Sequence, residues 1–439
     1  MKPACSVVGL GKLGSSLAAC LASSGFKVFC FDIKTEILET LKKGQAPAIE
    51  TGLQELITKS QANLIPVFTP KEIIENSDVT FLVLPTPSNL DGSFSDEHLR
   101  NALSELGSAL ATKNKYHLFA ITSTVSPGSC EKSLIPTLEK ASGKKFGHDF
   151  GLCYNPEFIA LGEVIKGLLN PDLVLIGESH TKDGDQLAEI YKDLCPNNPQ
   201  ISRMSLVSAE ITKIAINAYV TTKISFANFL GNICERTPGA EIDQITAALG
   251  HDRRISPYYL KAGPPFSGPC FPRDNKAFFV FAQNLGLHAY MARATDDIND
   301  FQIENLLETI LSHPPEGHAI SILGLAYKMR TAVLDESPMV KLIQRVLFKE
   351  PDTRFTVYDK LAADNLKKLF GNKINYAGSI TECLEASSYW ILGLPEKEFK
   401  AEIENSGAAA GTLLDCWRFI DQTKLSKNIK YLGLGQNHE

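Results

Sequence analysis

The chain has 439 residues, of which 44% are hydrophobic and 21% charged, and its formal net charge is −6 at pH 7. This length is typical of two or three globular domains. The negative balance argues against a nucleic-acid partner held by bulk charge, although a local basic pocket for phosphate remains compatible with it.

The first segment has the pattern of a strand, a glycine turn, a helix and a second strand. An apolar run at 4–8 precedes the turn, a helix pattern follows at 15–24, and a second apolar run at 28–31 ends at Asp32. This predicts a βαβ unit with a right-handed crossover. The turn consists of Gly9, Leu10, Gly11, Lys12, Leu13 and Gly14.

The spacing Gly9-x-Gly11-x-x-Gly14 predicts a dinucleotide site. Glycines in such a turn let backbone N–H groups approach a pyrophosphate at the N-terminus of the helix. Asp32 is placed to accept hydrogen bonds from ribose hydroxyls, which favours NAD over NADP. The alternative is a structural glycine turn, and the neighbouring Lys27 and Lys34 leave room for NADP.

The rest of the chain alternates strand and helix patterns on both sides of a helical centre. Apolar periodicity predicts a long helix from Ser205 to about Arg236, with Ser205 or Ser208 as its N-cap. The other predicted helices are 242–249, 275–285 and 337–347, and the other predicted strands are 79–84, 118–121, 173–176, 319–323, 355–358, 389–392 and 412–414. The fold class is therefore α/β, with mostly parallel, doubly wound sheets on either side of an all-helical part.

The ten cysteines form no CxxC pair and no metal-ligand spacing with histidine, so we expect no metal site and mostly buried thiols in a reducing cytoplasm. We also expect neither a signal peptide nor a membrane span. Cys270 is the exception, because it follows a stiff loop with three prolines and two glycines, and basic Arg273, Arg253 and Arg254 lie near it in sequence. A buried loop cysteine is the alternative, but a nicotinamide site elsewhere favours a thiol that traps an aldehyde.

Two further groups of polar residues are candidates for chemistry. Lys213 and Asn217 are four residues apart and so share one face of the long helix, with Glu210 three residues before the lysine. A solvated Glu210–Lys213 pair is the ordinary interpretation, yet few other polar positions occur on this helix. Glu157, in the turn Asn155-Pro-Glu157, either caps a helix or acts as an acid or base.

Over essentially its whole length, the chain resembles the UDP-glucose/GDP-mannose dehydrogenases. The motifs that carry the resemblance occur in the family's order. They are Val8-Gly-Leu-Gly11, Glu50-Thr-Gly-Leu53, Leu84-Pro-Thr-Pro87, Asp91-Gly92, Ser123-Thr-Val-Ser-Pro-Gly128, Asn155-Pro-Glu-Phe158, Asn170-Pro-Asp172, Ala209-Glu-Ile-Thr-Lys213, Asn217-Ala-Tyr219, Lys223-Ile-Ser-Phe226, Cys270-Phe-Pro-Arg-Asp274, Gly324-Leu-Ala-Tyr-Lys328 and Glu336-Ser-Pro338.

The resemblance implies an NAD-binding domain at 1–203, a central helical dimerisation domain at 204–300 and a Rossmann-like nucleotide-sugar domain at 301–439. It also implies a homodimer and a four-electron oxidation of a nucleotide sugar that consumes two NAD. Cys270 is then the nucleophile, Lys213 and Asn217 stabilise an oxyanion, Asp274 works with Lys213, and Glu157 acts as a base or orders water. The further binding residues that it implies are Thr86, Thr124 and Arg273 for the cofactor, and Phe158, Arg254, Tyr259, Leu260, Lys261, Gly263 and Lys328 for the substrate.

UDP-glucose is the expected substrate, because Asn217-Ala-Tyr219 and Lys223-Ile-Ser-Phe226 resemble the UDP-glucose branch of the family. GDP-mannose and UDP-N-acetylhexosamines are the alternatives within the class. A β-hydroxyacid dehydrogenase needs neither Cys270 nor a third domain, and a non-catalytic NAD-binding regulator is the alternative outside the class. The departures from the family pattern are Pro265-Phe-Ser-Gly-Pro269, Arg273, Leu161, Asp335 and Asp415-Cys-Trp-Arg418, and they bear on binding details.

Overall fold

The computed structural model describes residues 2–159 and 162–437, so the expectation about Leu161 lies outside the described residues. The chain divides into two compact units, Met1–Ala215 and Ile216–Glu439, which we call the first and the second unit. Each unit contains one sheet.

The sheet of the first unit has eight strands in the order β3-β2-β1-β4-β5-β6-β7-β8. Its strands pair in parallel, apart from an antiparallel contact of Tyr154 with Gly177 between β6 and β7. The order reverses between β1 and β4, which is the switch point where doubly wound sheets bind ligands. The strands are β1 Cys5–Val8, β2 Val28–Phe31, β3 Leu64–Pro66, β4 Val79–Leu82, β5 His117–Ile121, β6 Phe150–Tyr154, β7 Leu173–Gly177 and β8 Gln200–Met204.

Helices cover this sheet because its central strands are buried, apolar runs that need cover on both faces. One core cluster lies around α1 and another around α5. The helices of the first unit are α1 Lys12–Ser23, α2 Thr35–Lys42, α3 Leu53–Ser60, α4 Pro70–Asn76, α5 Glu97–Leu110, α6 Ile135–Ser142, α7 Val164–Leu169 and α8 Thr181–Leu194.

The predicted long helix is α9, Leu206–Glu235. The Ser205 hydroxyl accepts a hydrogen bond from the Ser208 N–H at 3.3 Å, so Ser205 is the N-cap. The helix begins in the first unit and continues into the second. It is followed by α10 Ile242–His251, α11 Phe271–Asn284 and α12 Tyr290–Ser312.

The sheet of the second unit has six parallel strands in the order β11-β10-β9-β12-β13-β14. Its order also reverses, between β9 and β12, and its core is one large cluster. The strands are β9 Ala319–Leu323, β10 Arg354–Tyr358, β11 Asn375–Tyr376, β12 Tyr389–Leu392, β13 Gly411–Asp415 and β14 Ile429–Gly433. The helices around it are α13 Pro338–Lys349, α14 Ala363–Phe370, α15 Ile380–Glu385 and α16 Lys397–Asn405.

The predicted fold class is confirmed: each unit contains a mostly parallel α/β sheet, and the helices α9 to α12 come between the two sheets along the chain. Some elements differ from the prediction. Helix α11 begins at Phe271 and not at 275, because Pro272 occupies its first turn, where a missing N–H costs nothing. Helix α12 and several short edge strands were not predicted. Among residues 2–159 and 162–437, no helix is both long and apolar enough to cross a membrane.

Candidate active site

The turn after β1 has the shape of a dinucleotide cradle. A Cβ atom on Gly14 would collide with the Gly9 carbonyl oxygen, and one on Gly9, where φ is +92°, would collide with the Val83 carbonyl. Gly11 differs, because a Cβ there meets nothing within 4 Å. It is the N-cap of α1 and has no side chain to cap the helix. Two glycines therefore close the turn, and Gly11 leaves the helix N-terminus open to a pyrophosphate.

Asp32, at the end of β2, lies beside this turn. Its carboxylate accepts hydrogen bonds from the Leu10 N–H at 2.7 Å and the Lys34 N–H at 2.9 Å. A carboxylate has about four acceptor positions, so Asp32 retains capacity for ribose hydroxyls. The residues present fit NAD.

The loops after β4 and β5 bring Thr86 and Thr124 together, as the family resemblance implies for cofactor-lining residues. The Thr86 hydroxyl donates to the Thr124 carbonyl at 2.6 Å. Ser123 ties the same loops, since its hydroxyl accepts from the Leu84 N–H at 2.8 Å. These residues lie at the carboxyl ends of β4 and β5, the edge at which such sheets bind ligands.

Glu157 follows β6 and is half-buried. Its Oε1 lies 2.9 Å from the hydroxyl of Tyr191, which is also 2.7 Å from Asn155 Oδ1. Burial raises the pKa of Glu157 to about 7, and the Tyr191 hydrogen bond and the charge of Lys213 only partly oppose that rise. A carboxyl group that titrates near neutral pH suits general acid–base work.

Lys213, on the first-unit part of α9, is 7% exposed. Its Nζ donates to the Glu157 carbonyl oxygen at 2.7 Å and lies 4.6 Å from the centre of the Phe158 ring. The structure thus brings Lys213, Glu157 and Phe158 together. Among its described contacts, the ammonium is held by a carbonyl oxygen and a ring face.

Glu210 does not form the solvated pair with Lys213 that its spacing suggests. It is fully buried and accepts hydrogen bonds from the Gly128 N–H at 2.5 Å and the Cys130 N–H at 2.8 Å. These N–H groups lie at the start of the helical segment that leads into α6. A long-range contact with a helix N-terminus therefore replaces the local ion pair.

Cys270 is the exposed thiol of the molecule. All ten cysteines are described, none is in a disulfide, and the other nine are buried. Cys270 is the N-cap of α11, and its carbonyl accepts the Asp274 N–H at 2.8 Å. The positive end of a helix stabilises a thiolate anion at this position.

Asn217 and Asp274 meet in the second unit. The Asn217 amide donates to Asp274 Oδ2 at 2.6 Å, and Asp274 is 1% exposed. The Arg273 guanidinium lies 3.6 Å from the second carboxylate oxygen, Oδ1, which receives no hydrogen bond in the structure. The helix that follows Cys270 therefore carries in its first turn a buried acid that fixes Asn217.

Three buried amide side chains hold the loop before Cys270. Asn299 binds both backbone groups of Phe266, accepting from its N–H at 2.7 Å and donating to its carbonyl at 3.1 Å. Asn228 accepts from the Gly263 N–H at 2.8 Å, and Gln302 donates to the Gly263 carbonyl at 3.2 Å. The loop is rich in proline and therefore has few backbone N–H groups. The three amides bind those of Gly263 and Phe266, together with the carbonyl groups of the same two residues.

Apart from Phe158, the further residues implied for substrate binding belong to the second unit, and the structure gathers only some of them. Gly263 lies in the clamped loop, and Lys328 follows Tyr327, whose carbonyl lies 3.4 Å from the Ser267 hydroxyl. Arg254 points to solvent and pairs with Asp252 at 2.6 Å. Among the others, Tyr259 and Lys261 are exposed, and Leu260 is buried.

The departures from the family pattern have structural partners. The Asp335 carbonyl accepts the Gly268 N–H at 3.1 Å, and the Trp417 indole donates to the Gly393 carbonyl at 2.9 Å. Arg418, whose side chain is 3% exposed, binds Asp243 at 2.8 Å and the Ala262 carbonyl at 2.8 Å. The cysteine loop thus rests on loops that follow β9 and β13.

A dinucleotide turn, an acid for ribose and an exposed thiol at a helix N-terminus define an NAD-dependent oxidoreductase. The family models agree. The NAD binding domain of the UDP-glucose/GDP-mannose dehydrogenase family matches residues 3–195, its central domain residues 207–301, and its UDP binding domain residues 321–422. The chain belongs to this family of nucleotide-sugar 6-dehydrogenases, and its cofactor is NAD.

Individual relatives differ in their substrates. The chain is 34% identical to the UDP-glucose 6-dehydrogenase AglM of Haloferax volcanii, over 90% of this chain and 92% of the relative. It is 32% identical to a GDP-mannose 6-dehydrogenase of Pseudomonas putida, over 90% and 92%. A solved UDP-glucose dehydrogenase from Pyrobaculum islandicum matches with a TM-score of 0.88 at 27% identity, over 99% of this chain and 98% of that one.

Proposed function

We propose that the chain oxidises the C6 alcohol of UDP-glucose to the carboxylate of UDP-glucuronate, through a thiohemiacetal and a thioester on Cys270. The observation that carries this proposal is the exposure of Cys270. It is the exposed thiol among ten, it occupies the N-cap position of a helix, and amide side chains hold its loop in place. A structural cysteine needs none of these features.

In the proposed mechanism, Lys213 and Asn217 both stabilise negative charge on oxygen. Lys213 stabilises the alkoxide that forms when the hydroxyl on C6 loses its proton to solvent, and Asn217, held by Asp274, is a second donor for the oxyanion. Bound NAD supplies the hydride acceptor for each of the two oxidations. After the first oxidation, the Cys270 thiolate adds to the aldehyde carbon to give a thiohemiacetal.

The second half of the reaction releases the product. Loss of the second hydride leaves a thioester, and Glu157 removes a proton from the water that attacks its carbonyl carbon. The carbon–sulfur bond breaks, the electron pair stays on sulfur, and the carboxylate leaves. The net reaction converts one alcohol, two NAD and one water into one carboxylate, two NADH and three protons.

UDP-glucose is preferred because Asn217-Ala-Tyr219 and Lys223-Ile-Ser-Phe226 follow the UDP-glucose pattern, and the Haloferax volcanii relative is a UDP-glucose 6-dehydrogenase. GDP-mannose is the second candidate, because the Pseudomonas putida relative is 32% identical and acts on it. NADH release from UDP-glucose, GDP-mannose and two UDP-N-acetylhexosamines, measured side by side, tests the choice. A higher kcat/KM for any sugar other than UDP-glucose contradicts it, and no NADH from any of them indicates a non-catalytic NAD-binding protein.

We also propose that the enzyme is a homodimer that works in the cytoplasm. An apolar groove of about 550 Å³ lies between α9 and α12, and Phe229, Ile233, Ile298 and Phe301 line it. Three of these side chains are at least 40% exposed, as expected for a surface that a second copy of the chain covers. Phe229→Glu with Phe301→Glu is expected to give a monomer by light scattering, and an unchanged dimer contradicts this interface. The absence of disulfides among the ten cysteines, all of them described, fits a reducing compartment.

A further inference from the structure

The hydroxyl of Tyr191 lies between two oxygen acceptors in the first unit. It is 2.7 Å from Asn155 Oδ1 and 2.9 Å from Glu157 Oε1, and Tyr191 is 2% exposed. The orientation of the Asn155 amide is fixed, because its Nδ2 donates to the Leu175 carbonyl at 3.0 Å. A phenol has one proton, so Tyr191 donates to only one of the two oxygens at a time and can accept from the other group only if that group carries a proton.

We propose that Tyr191 is a positioning residue that satisfies both protonation states of Glu157 during thioester hydrolysis, an inference that rests on the proposed role of Glu157. When Glu157 is ionised, the Tyr191 O–H donates to its Oε1. When Glu157 carries the proton taken from water, the carboxyl group donates to the Tyr191 oxygen, and the Tyr191 O–H turns to Asn155 Oδ1. Glu157 then releases its proton to solvent, and the first arrangement returns.

Both arrangements use the same heavy-atom positions, so protonation of Glu157 needs no rearrangement of the buried chain around it. This matters because a buried group left without a partner is costly, and a single fixed donor serves only one protonation state. Asn155 is part of the motif Asn155-Pro-Glu157, so one short segment supplies both the base and the second acceptor for Tyr191.

Of the ionisable groups described around Glu157, Tyr191 is the one that hydrogen-bonds its carboxyl group. Within the described part of the first unit, the groups that interact electrostatically with Glu157 are Tyr191 on α8, Lys213 on α9, Cys20 on α1 and Cys195 after α8. Burial raises the pKa of both thiols to about 12, so they remain neutral during turnover. The Lys213 Nζ is directed to the Glu157 carbonyl, while the Tyr191 hydroxyl is the group bonded to the carboxyl oxygen.

Tyr191→Phe tests the proposal, because it removes the hydroxyl and keeps the ring. Without that donor, the carboxylate is less stable and the pKa of Glu157 rises further. We expect the acidic limb of the pH profile of kcat to move upward by about one pH unit, and hydrolysis at pH 7 to slow roughly fivefold. Intact-protein mass spectrometry should then show the acyl group accumulating on Cys270 at pH 7 and disappearing at pH 9.

Tyr116→Phe is the matched control, because the Tyr116 hydroxyl donates to a different buried carboxylate, Asp183, at 2.6 Å. It should lower thermal stability without moving the pH profile or the acyl-enzyme level. A second variant keeps the packing of the site intact. 3-Fluorotyrosine at position 191 is more acidic and therefore a stronger donor, so the limb should move to lower pH.

The outcomes separate this inference from the proposed function. A wild-type enzyme that releases NADH, combined with an unmoved acidic limb in both Tyr191 variants, overturns the role of Tyr191 alone. A shift of equal size in Tyr116→Phe overturns it as well, because the effect would then be structural. A wild-type chain that oxidises no nucleotide sugar overturns the proposed function itself.

Discussion

The turns after β1 and β9 occupy the same place in two similar sheets, yet they are built for different tasks. After β1, Gly11 leads directly into α1 and leaves open space at the helix N-terminus. After β9, Gly324 is followed by a loop that reaches α13 only at Pro338. Gly324 corresponds to Gly9, since a Cβ on either would collide with a neighbouring chain segment, but the place of the open Gly11 is taken by Ala326, which is 4% exposed.

The acids beside the two turns differ in the same way. Asp359 follows β10 as Asp32 follows β2, but it is 8% exposed and accepts four backbone N–H groups, from Leu325, Ala326, Leu361 and Ala362. Asp32 accepts two. A carboxylate with every acceptor position filled by its own chain holds the turn, whereas one with spare capacity can bind a ligand. The shared fold therefore does not decide which sheet binds a dinucleotide.

The contrast extends beyond the turns. Asp415, at the end of β13, accepts the N–H groups of Trp417, Phe419 and Ile420 and the Tyr431 hydroxyl. Glu157 has a single described donor to its carboxyl group, Tyr191. Asp415 is therefore held by its own chain, whereas the carboxyl group of Glu157 keeps acceptor positions that the described residues do not fill.

The largest effects are expected from two substitutions in the turn after β1, Gly14→Ala and Gly11→Ala. Gly14→Ala drives a methyl group into the Gly9 carbonyl and should destabilise the first unit by about 1–3 kcal/mol or more. Gly11→Ala meets no protein atom, so stability should stay unchanged while the Kd for NAD rises about 100-fold, or about 2.8 kcal/mol. Calorimetry of unfolding and of NAD binding measures both. Equal stability losses in the two variants would contradict the open cradle.

The two acids give the next effect. Asp359→Asn replaces one acceptor oxygen by an NH2 group that faces N–H donors, so the second unit should lose about 1–3 kcal/mol of stability with no change in NAD affinity. Asp32→Asn should leave stability nearly unchanged and reduce the preference for NAD over NADP, because the 2′-phosphate no longer meets a carboxylate. Thermal midpoints and kcat/KM for both cofactors decide the matter. The proposed difference between the two acids is contradicted if Asp32→Asn lowers stability and Asp359→Asn changes cofactor preference.

The smallest expected effect tests whether Glu157, with one described hydrogen-bond donor to its carboxyl group, has a raised pKa. Its pKa of about 7 lies above its ordinary 4.5, so the folded chain binds the proton more tightly than the unfolded chain. Stability from this group is present below pH 4.5 and is lost as pH rises to about 7. Glu157→Gln cannot ionise, so its thermal midpoint relative to wild type should be higher at pH 8 than at pH 6 by about 2–4 °C, the equivalent of about 1 kcal/mol. If the difference in thermal midpoint between the variant and wild type did not depend on pH, the pKa of Glu157 would not be raised in the folded protein.

Much of this architecture follows from sequence patterns, for local reasons. The glycine turn, Asp32, the Ser205 cap and α9 depend on residues close together in the chain, and all are present in the structure. Helix α12 escaped prediction because buried amides and acidic residues interrupt its apolar pattern. The start of α11 was placed too late because Pro272 was taken for a loop residue.

The parts of the site that could not be predicted depend on contacts between distant residues. Tyr191 reads as one more apolar position of α8, and only the fold brings it to Glu157, 34 residues away. The sequence does not indicate that Asn299 binds the backbone of Phe266, because the two residues lie 33 positions apart. Glu210 has a lysine at helical spacing, yet it binds backbone N–H groups that are more than 70 residues away in the chain. The gathering of the exposed substrate residues stays a prediction.

The NADH yield per nucleotide sugar, measured for wild type and Cys270→Ser, tests the central claim most directly. A serine hydroxyl is a far weaker nucleophile than a thiolate near neutral pH and a poor acyl carrier. Wild type should release two NADH per UDP-glucose with little free aldehyde, whereas Cys270→Ser should bind UDP-glucose and NAD normally and stop turning over. Lys213→Ala should differ by slowing the first oxidation as well. Wild-type turnover in Cys270→Ser, or one NADH per sugar with aldehyde recovered from wild type, would contradict the covalent mechanism.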